Sequence, residues 1–491
     1  MSTPLSRRLT ASDAAFLYLE RPNAPLHIGS LGIYEGQVPF ERFINHIESR
    51  LPLIPRYRQR LAPVPFSLAH PTWEDDPEFD IRRHIFRVDL PPPGNERQLQ
   101  EVTTRLFAPP LDRSKPLWEM YVIHGIEGDR SGIASKVHHA MVDGVSGIQL
   151  LLAVVDITPE PAPPPEAEPW EPKPLPDAGS RVIDGFWDQI LEQRRAWQEF
   201  NQSVRDPRRP FRQSQDLMRA LQTMSPWLLQ PAPRMPFRTA GMSPERMLAF
   251  NEVSFVEIRE IRTALGGTVN DVVLAILAGA LHRYLPLHGY GISGVEPRVA
   301  IPVNIRLEDE KGALGNRVSG MFAALPVGER DPARRLELVR ERVGKLKEDN
   351  QAGAIELLAR AGDYVPVPVQ ALAGQFLTNT LINFICTNVP GPMIPLYSVG
   401  HLLLEHYPLV PLSLDMGFGV GVTSYNQRLF FGLMADPQVM PDIDRMKEFV
   451  DESFLELRSA AGVTPTDLPQ FTTNGASPKA QAPVAIAESP A

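Results

Sequence analysis

The sequence has 491 residues, which favours two to four globular units and excludes a small module stapled by disulfides. Its 49 basic and 58 acidic residues give a formal net charge of −9, so no overall positive field attracts nucleic acid. Hydrophobic residues make up 43% and charged residues 22%, so the chain holds enough apolar material for large cores.

The first twenty residues carry an arginine pair but no uninterrupted apolar stretch before Asp13, so they do not resemble a secretory signal. The single cysteine, Cys386, cannot form an internal disulfide, as is typical of a reducing compartment. The longest apolar runs, 148–155 and 272–281, are much shorter than the roughly 18 residues of a membrane-spanning helix. We therefore expect a cytoplasmic protein in which any membrane contact is peripheral.

Strands and helical stretches alternate along both parts of the chain. Alternating patterns predict strands at 117–123 and 133–138, and again at 298–303 and 429–434. The sequence therefore predicts an α/β (α+β) class with mixed sheets. The similar length and alternation of the two parts leave room for a pseudo-duplicated architecture.

A proline-rich segment separates the two parts. Nine prolines between 159 and 176 predict an extended polyproline II crossover, with a ligand for an aromatic groove as the alternative. We therefore predict four regions: a first lobe (1–155), a crossover with a basic amphipathic segment (156–236), a second lobe (237–463) and a disordered tail (464–491).

The crossover region contains the one marked basic patch of the sequence. Apolar residues at three- and four-residue steps between 182 and 204 predict an amphipathic helix. Arginines accumulate over 194–219, where prolines interrupt them. Such a stretch indicates a solvated helix face with a linker, or a contact for an anionic membrane surface or a nucleotide phosphate.

Two adjacent histidines, His138 and His139, stand where a predicted strand ends and a helix begins. A capping box of Ser146 and Gln149 predicts the start of that helix. Strand ends next to helix N-termini are favoured ligand sites. Since successive strand residues point to opposite faces, one histidine of the pair faces a given cavity.

A neutral histidine suits the removal of a hydroxyl proton as the oxygen attacks a carbonyl. Asp143 could orient the loop or pair with an arginine, and Gly144 would permit a turn that a Cβ obstructs. A purely structural histidine and a zinc site that uses Asp143 are the alternatives. The sequence contains no G-x-S-x-G elbow for a serine nucleophile.

The run His138-His139-Ala-Met-Val-Asp143-Gly144 resembles the HHxxxDG signature of the CoA-dependent acyltransferase superfamily, which includes chloramphenicol acetyltransferase and peptide-synthetase condensation domains. Further motifs narrow the resemblance to the bacterial wax ester synthase/diacylglycerol acyltransferase family: SDAAFLYLE near the start, Pro-Leu-Asp-Arg at 110–113, Pro-Leu-Trp at 116–118, Asn270-Asp271, GNRVS at 315–319, Asn-Val-Pro-Gly-Pro at 388–392 and SYNQRLFFGLMAD at 424–436. The resemblance covers nearly the whole chain except the proline linker and the tail.

The resemblance implies two chloramphenicol-acetyltransferase-like lobes, with mixed sheets flanked by helices and an active-site tunnel at their interface. It implies transfer of a fatty acyl group from acyl-CoA to a long-chain alcohol or diacylglycerol, without a covalent acyl-enzyme, metal or separate cofactor. Because an apolar alcohol partitions into lipid, we expect peripheral contact with the inner face of the membrane or with lipid droplets, through the helix predicted over 182–204. A condensation enzyme that uses a carrier-protein thioester and a non-catalytic lipid-binding relative are the alternatives.

The same resemblance assigns roles to individual residues. His139 is expected to be the general base, whereas His138 and Asp143 are expected to be structural, with Arg306 as the partner of Asp143. The Thr268-x-x-Asp271 spacing also predicts a helix cap, so Asn270 and Asp271 either cap that helix or line the active site. The preferred acceptor, the acyl chain length and the oligomeric state stay open.

Overall fold

The computed structural model describes residues 8–65, 69–141, 155–160, 169–174, 208–239, 241–304, 318–362, 381–412 and 415–466, together with single positions at 179, 183 and 187. Several predicted features lie outside these residues: most of the proline-rich segment, nearly all of the 182–204 helix, the Ser146–Gln149 cap, Asp143, Gly144, Arg306 and the tail from 467 onward.

The described helices are α1 (Ala11–Leu19), α2 (Phe40–Arg50), α3 (Glu96–Phe107), α4 (Arg208–Leu229), α5 (Phe255–Leu265), α6 (Val269–Leu287), α7 (Pro332–Glu348), α8 (Gln351–Gly362) and α9 (Ile443–Ala460). The described strands are β1 (His27–Glu35), β2 (Gln59–Ala62), β3 (Thr72–Asp75), β4 (Ile85–Asp89), β5 (Trp118–Ile126), β6 (Arg130–His138), β7 (Met247–Ser254), β8 (Arg298–Asn304), β9 (Val318–Ala324), β10 (Phe384–Val389), β11 (Tyr397–Ser398), β12 (His401–Leu409), β13 (Phe418–Tyr425) and β14 (Arg428–Ala435). All four strands predicted from alternation are confirmed, with ends that differ by at most three residues.

Two six-stranded mixed sheets organise the described residues. The first has the order β11-β12-β1-β6-β5-β4 and contains one parallel pair, β4 with β5. The second has the order β7-β14-β13-β10-β8-β9, in which β10 runs parallel to both of its neighbours. The strands β2 and β3 form a separate two-stranded sheet. The predicted mixed α/β class is confirmed.

Strand β12 joins the two sheets. In sequence it lies between β10 and β13 of the second sheet, yet it pairs antiparallel with β1 of the first sheet, from Gly29↔Leu409 to Tyr34↔Leu403. It also packs against β13 and β14 of the second sheet. The first sheet is therefore completed by residues far along the chain, which no local pattern indicates.

Local capping and burial explain where the main helices lie. Asn95 and Gln98 form a capping box at the start of α3, and Thr268 with Asp271 forms another at the start of α6. Helix α6 is buried along most of its length and occupies the centre of the second core. Helix α4 begins inside the predicted basic linker, and its Pro210 stands in the first turn, where proline is tolerated.

In the part of the chain that the structure describes, no single helix combines the length and apolar composition needed to span a membrane. Helices α5 and α6 reach that length and composition together, but they bend by 96° at the break between them.

Candidate active site

The two predicted histidines stand at the end of a central strand of the first sheet. His138 is the last residue of β6, where it pairs with His27 of β1, and residues His139–Met141 form a short 3-10 turn. The backbone N–H of His139 donates to the carbonyl of Leu26 at 2.9 Å. His138 is fully buried and His139 is half-buried, so the two rings have different surroundings.

His138 makes a defined set of contacts. Its Nδ1 accepts a hydrogen bond from the N–H of Ala140 at 3.1 Å, and this pattern assigns the ring proton to Nε2. Nε2 lies 3.3 Å from Oε1 of Glu20, an electrostatic contact because it falls outside hydrogen-bond geometry. Both ring nitrogens of His138 therefore face groups of the protein: Nδ1 through a hydrogen bond and Nε2 through an electrostatic contact.

Glu20 is an ionised carboxylate in a largely buried position. It accepts hydrogen bonds from the N–H of Leu26 at 3.0 Å and from the Arg113 guanidinium at 2.8 Å. Burial by itself would raise the pKa of Glu20, but its contacts with His138, Leu26 and Arg113 outweigh burial and lower the pKa to about 2. Glu20 therefore carries its charge throughout the physiological pH range.

The His139 ring is stacked and neutral. The ring of Phe16 on α1 lies 3.9 Å away, centroid to centroid, at an interplanar angle of 13°. Burial lowers the pKa of His139 to about 4, although the carbonyl of its own backbone acts in the opposite direction. Its Nδ1 is buried, and no described group forms a hydrogen bond with it. A neutral imidazole of this kind can accept a proton.

The histidine turn lies near residues that follow the crossover in sequence. The segment 20–26, which contacts both histidines, also reaches residues beyond the crossover. The Asn23 side chain donates to the carbonyl of Met242 at 2.7 Å, and Arg246 donates to the carbonyl of Asn23 at 2.7 Å. The tunnel between the lobes stays a prediction.

Asp271 acts as a helix cap. Its carboxylate accepts from the N–H and the hydroxyl of Thr268, each at 2.8 Å, and the Thr268 hydroxyl accepts from the N–H of Asp271 at 3.2 Å. Asn270 is half-buried and takes no part in this box. The structure does not bring Asn270 or Asp271 into a described contact with His139.

A buried ion pair was not indicated by the sequence. The Arg50 guanidinium on α2 contacts the carboxylate of Asp156, and Nε2 of His46 lies 3.7 Å from the same carboxylate. The expected pair of Asp143 with Arg306 lies outside the described residues. Within the described ranges, no group of three or more histidine, cysteine, aspartate or glutamate side chains is placed to hold a metal ion.

Sequence reasoning also missed the residues that surround the histidine pair. Phe16 and Glu20 belong to the SDAAFLYLE stretch, and Arg113 belongs to Pro-Leu-Asp-Arg, so all three lie in segments that carry the family resemblance. The family motifs were therefore the feature of the sequence that could have indicated these three residues. Their contacts join residues about 90 to 120 positions apart, which spacing alone does not indicate.

Comparisons with known proteins identify the family. Residues 9–273 match the model of the wax ester synthase/diacylglycerol acyltransferase catalytic domain, and residues 314–458 match the model of the WS/DGAT C-terminal domain. A probable diacylglycerol O-acyltransferase of Mycobacterium tuberculosis is 30% identical over 463 residues, which cover 91% of this chain and 95% of that protein.

Solved structures share the fold. The wax ester synthase/diacylglycerol acyltransferase from Marinobacter aquaeolei VT8 superposes with a TM-score of 0.65 at 23% identity, over 93% of this chain and 100% of that one. The first condensation domain of the calcium-dependent antibiotic synthetase gives a TM-score of 0.60 at 16% identity, over 94% and 97%. The resemblance seen in the motifs is confirmed: the chain belongs to the wax ester synthase/diacylglycerol acyltransferase family of acyltransferases.

Proposed function

We propose that this acyltransferase transfers a fatty acyl group from acyl-CoA directly to the hydroxyl of a long-chain alcohol or a diacylglycerol, with His139 as the general base. The observation that carries the proposal is the neutral, half-buried imidazole of His139 at the end of β6, in a chain of this family. The name of the mycobacterial relative, a diacylglycerol O-acyltransferase, supports diacylglycerol as an acceptor.

The reaction needs one base that both takes and returns a proton. Nδ1 of His139 is buried, so the proposal assigns the proton transfer to Nε2. Nε2 accepts the hydroxyl proton as the oxygen attacks the thioester carbonyl. The C–S bond then breaks, and the imidazolium returns the proton to the CoA thiolate. The products are an ester and free CoA, so no covalent acyl-enzyme forms.

The low pKa of His139 has two consequences for this reaction. It keeps the ring unprotonated at neutral pH, so nearly every enzyme molecule holds a competent base. It also makes the free imidazole a weak base. The negative charge that develops on the attacked carbonyl oxygen favours the imidazolium beside it, which raises the proton affinity of His139 during the reaction.

The test is an assay of purified protein with palmitoyl-CoA and either hexadecanol or dioleoylglycerol, in which released thiol and lipid product are both measured. His139→Ala should lower kcat by at least about 100-fold with a smaller change in KM, because it removes the base and not the binding surface. His288→Ala, which removes a half-buried imidazole of the second lobe, should keep normal turnover. Turnover of His139→Ala within twofold of the wild type would refute the proposed base.

The assay also separates the alternative reactions. A condensation-type enzyme would use an acyl-pantetheinyl carrier protein in preference to acyl-CoA. A lipid-binding relative without activity would release no thiol from any donor. We expect palmitoyl-CoA to be the better donor, so a carrier-dependent reaction or an inactive wild type would reject the proposal.

We further propose that helix α4 docks the enzyme on an anionic lipid surface that holds its apolar acceptor. One face of the helix packs into a small core through Ala220 and Met224. The opposite face leaves Met218 58% and Leu229 81% exposed, and these two residues lie on the same side because they are eleven positions apart.

Charge complementarity supports an anionic partner for α4. The sequence of the helix contains arginines at 208, 209, 212 and 219, although the chain as a whole has a net charge of −9. Several basic residues in the sequence of a helix that exposes apolar side chains are typical of helices that lie in a membrane interface. The 182–204 helix, predicted to have the same role, lies largely outside the described residues; of its two described positions, Ile183 and Trp187, both are exposed.

Flotation with phosphatidylglycerol/phosphatidylcholine vesicles tests the docking surface. The double variant Met218→Gln/Leu229→Gln should lower the bound fraction at least threefold, because it removes the apolar contact. Leu455→Gln is the matched control, since it changes an exposed leucine on α9. If the double variant floats as well as the wild type, α4 is not the docking surface.

A further inference from the structure

We propose that Glu20 is a positioning residue of the acyl-transfer reaction, which acts through His138 to hold His139 in place. This inference rests on the proposed role of His139 as the base. It extends that role to a residue on a different element, 118 positions before His138 in the sequence.

The backbone of His139 is fixed on both sides by groups that meet at Glu20. At the first residue of the turn, the N–H of His139 donates to the carbonyl of Leu26, and the N–H of Leu26 donates to Oε1 of Glu20. At the second residue, the N–H of Ala140 donates to Nδ1 of His138, and Nε2 of His138 faces the same Oε1 at 3.3 Å. One carboxylate oxygen of Glu20 is therefore connected, through Leu26 and through His138, to the backbone N–H groups of both His139 and Ala140.

The charge of Glu20 favours one tautomer of the His138 ring. An anionic oxygen 3.3 Å from Nε2 favours the tautomer in which Nε2 carries the proton. Only that tautomer leaves Nδ1 free to accept from the N–H of Ala140. A neutral side chain of the same shape would remove this preference, and His138 could then release the turn.

Helix α1 supports the base from a second side. Phe16 lies four residues before Glu20, and the N–H of Glu20 donates to the carbonyl of Phe16 at 3.2 Å. The Phe16 ring stacks on the His139 ring at 3.9 Å. The same stretch of chain therefore fixes the plane of the imidazole through Phe16 and its backbone through Glu20. A displacement of about 1 Å at a reacting group can lower a rate about 100-fold.

The experiment compares kcat and KM of Glu20→Gln with those of a matched glutamate variant. Glu20→Gln keeps the shape and removes the charge, so kcat should fall about 10- to 100-fold while KM for palmitoyl-CoA changes less than threefold. Glu405→Gln is the control, because Glu405 also bonds an arginine (Arg130, 3.0 Å) and a hydroxyl (Tyr407, 2.9 Å) but has no described contact with the histidine turn. Its kcat should match the wild type, and a normal kcat in Glu20→Gln would overturn the inference.

A double-mutant cycle shows whether Glu20 acts through His138. His138→Asn keeps an acceptor for Ala140 but loses the nitrogen that faces Glu20. In that background, Glu20→Gln should change kcat less than threefold, because the interaction is already absent. Effects that multiply in the double variant would overturn the inference, since Glu20 would then act on another group.

Two further variants keep the outcome decisive. If Glu20→Gln does not fold, Glu20→Asp retains the charge but withdraws the carboxylate by one methylene, and the same fall in kcat is expected. A normal kcat in Glu20→Asp would overturn the inference in that case. His139→Ala distinguishes the two proposals: full activity of that variant rejects the base itself, whereas loss of activity there with normal Glu20 variants rejects the positioning role alone.

Discussion

The carbonyl oxygen of Pro408 on β12 lies against the Cα of Gly432 on β14, at the position that a Cβ of residue 432 would occupy. Gly421 stands directly opposite Gly432 on β13, and a Cβ there would lie 3.0 Å from the Pro408 ring. This pair of glycines allows β12 to lie flat on the second sheet while it pairs with β1 of the first. The contact between the sheets therefore depends on two absent side chains.

Gly432→Ala should destabilise the protein by about 2 to 3 kcal/mol, because the new methyl group overlaps a backbone atom that cannot rotate away. Urea unfolding followed by tryptophan fluorescence measures the change. Gly320→Ala in β9 of the same sheet is the control, since the nearest atom to its added Cβ is 3.9 Å away. Equal stability of the two variants would contradict the proposed packing.

The pH dependence of activity should reflect the buried state of His139. Burial lowers its pKa to about 4, so the ring stays unprotonated as the pH falls from 6.5 towards 5 and is protonated only near pH 4. The value of kcat/KM for acyl-CoA should therefore be nearly constant from pH 7 to about 5 and decline below that. Rates at subsaturating palmitoyl-CoA, with parallel fluorescence to monitor folding, give the profile. An acid limb centred between pH 6 and 7 would argue against the buried base.

Thr268→Ala should lower the stability of the protein by about 1 kcal/mol and leave kcat unchanged, because it removes the cap of α6. The free energy of unfolding and the turnover number are measured on the same preparation. Thr263→Ala on the exposed face of α5 provides the comparison and should change neither quantity. A fall in kcat of Thr268→Ala without loss of stability would instead place the start of α6 at the active site.

Asp156→Ala should cost about 3 kcal/mol, because it removes the carboxylate that Arg50 contacts in a buried site. The loss should appear as a lower midpoint of urea unfolding. Asp89→Ala breaks the exposed pair with Arg87 and should cost less than about 1 kcal/mol. If both variants lose the same stability, burial does not determine the strength of the Arg50–Asp156 pair.

The sequence alone indicated the features that depend on neighbouring residues. Alternation over 133–138 predicted most of β6, and the spacing of Thr268 and Asp271 predicted the cap of α6, because side-chain direction and capping are decided within a few residues. The contiguous motif that begins at His138 indicated the superfamily, and the further motifs along the chain narrowed the resemblance to the family, which the comparisons confirm.

Tertiary structure alone decided which distant residues surround the histidines and how the two sheets join. Glu20 meets His138 across 118 positions, Phe16 stacks on His139 across 123, and β12 pairs with β1 across about 370. Such contacts depend on the three-dimensional path of the chain, and they form only where the burial of both partners offsets the entropy of closing a long loop. A local sequence pattern does not reflect this balance between burial and loop-closure entropy. The histidine motif could therefore be identified in the sequence, whereas its contacts with Glu20 and Phe16 could not.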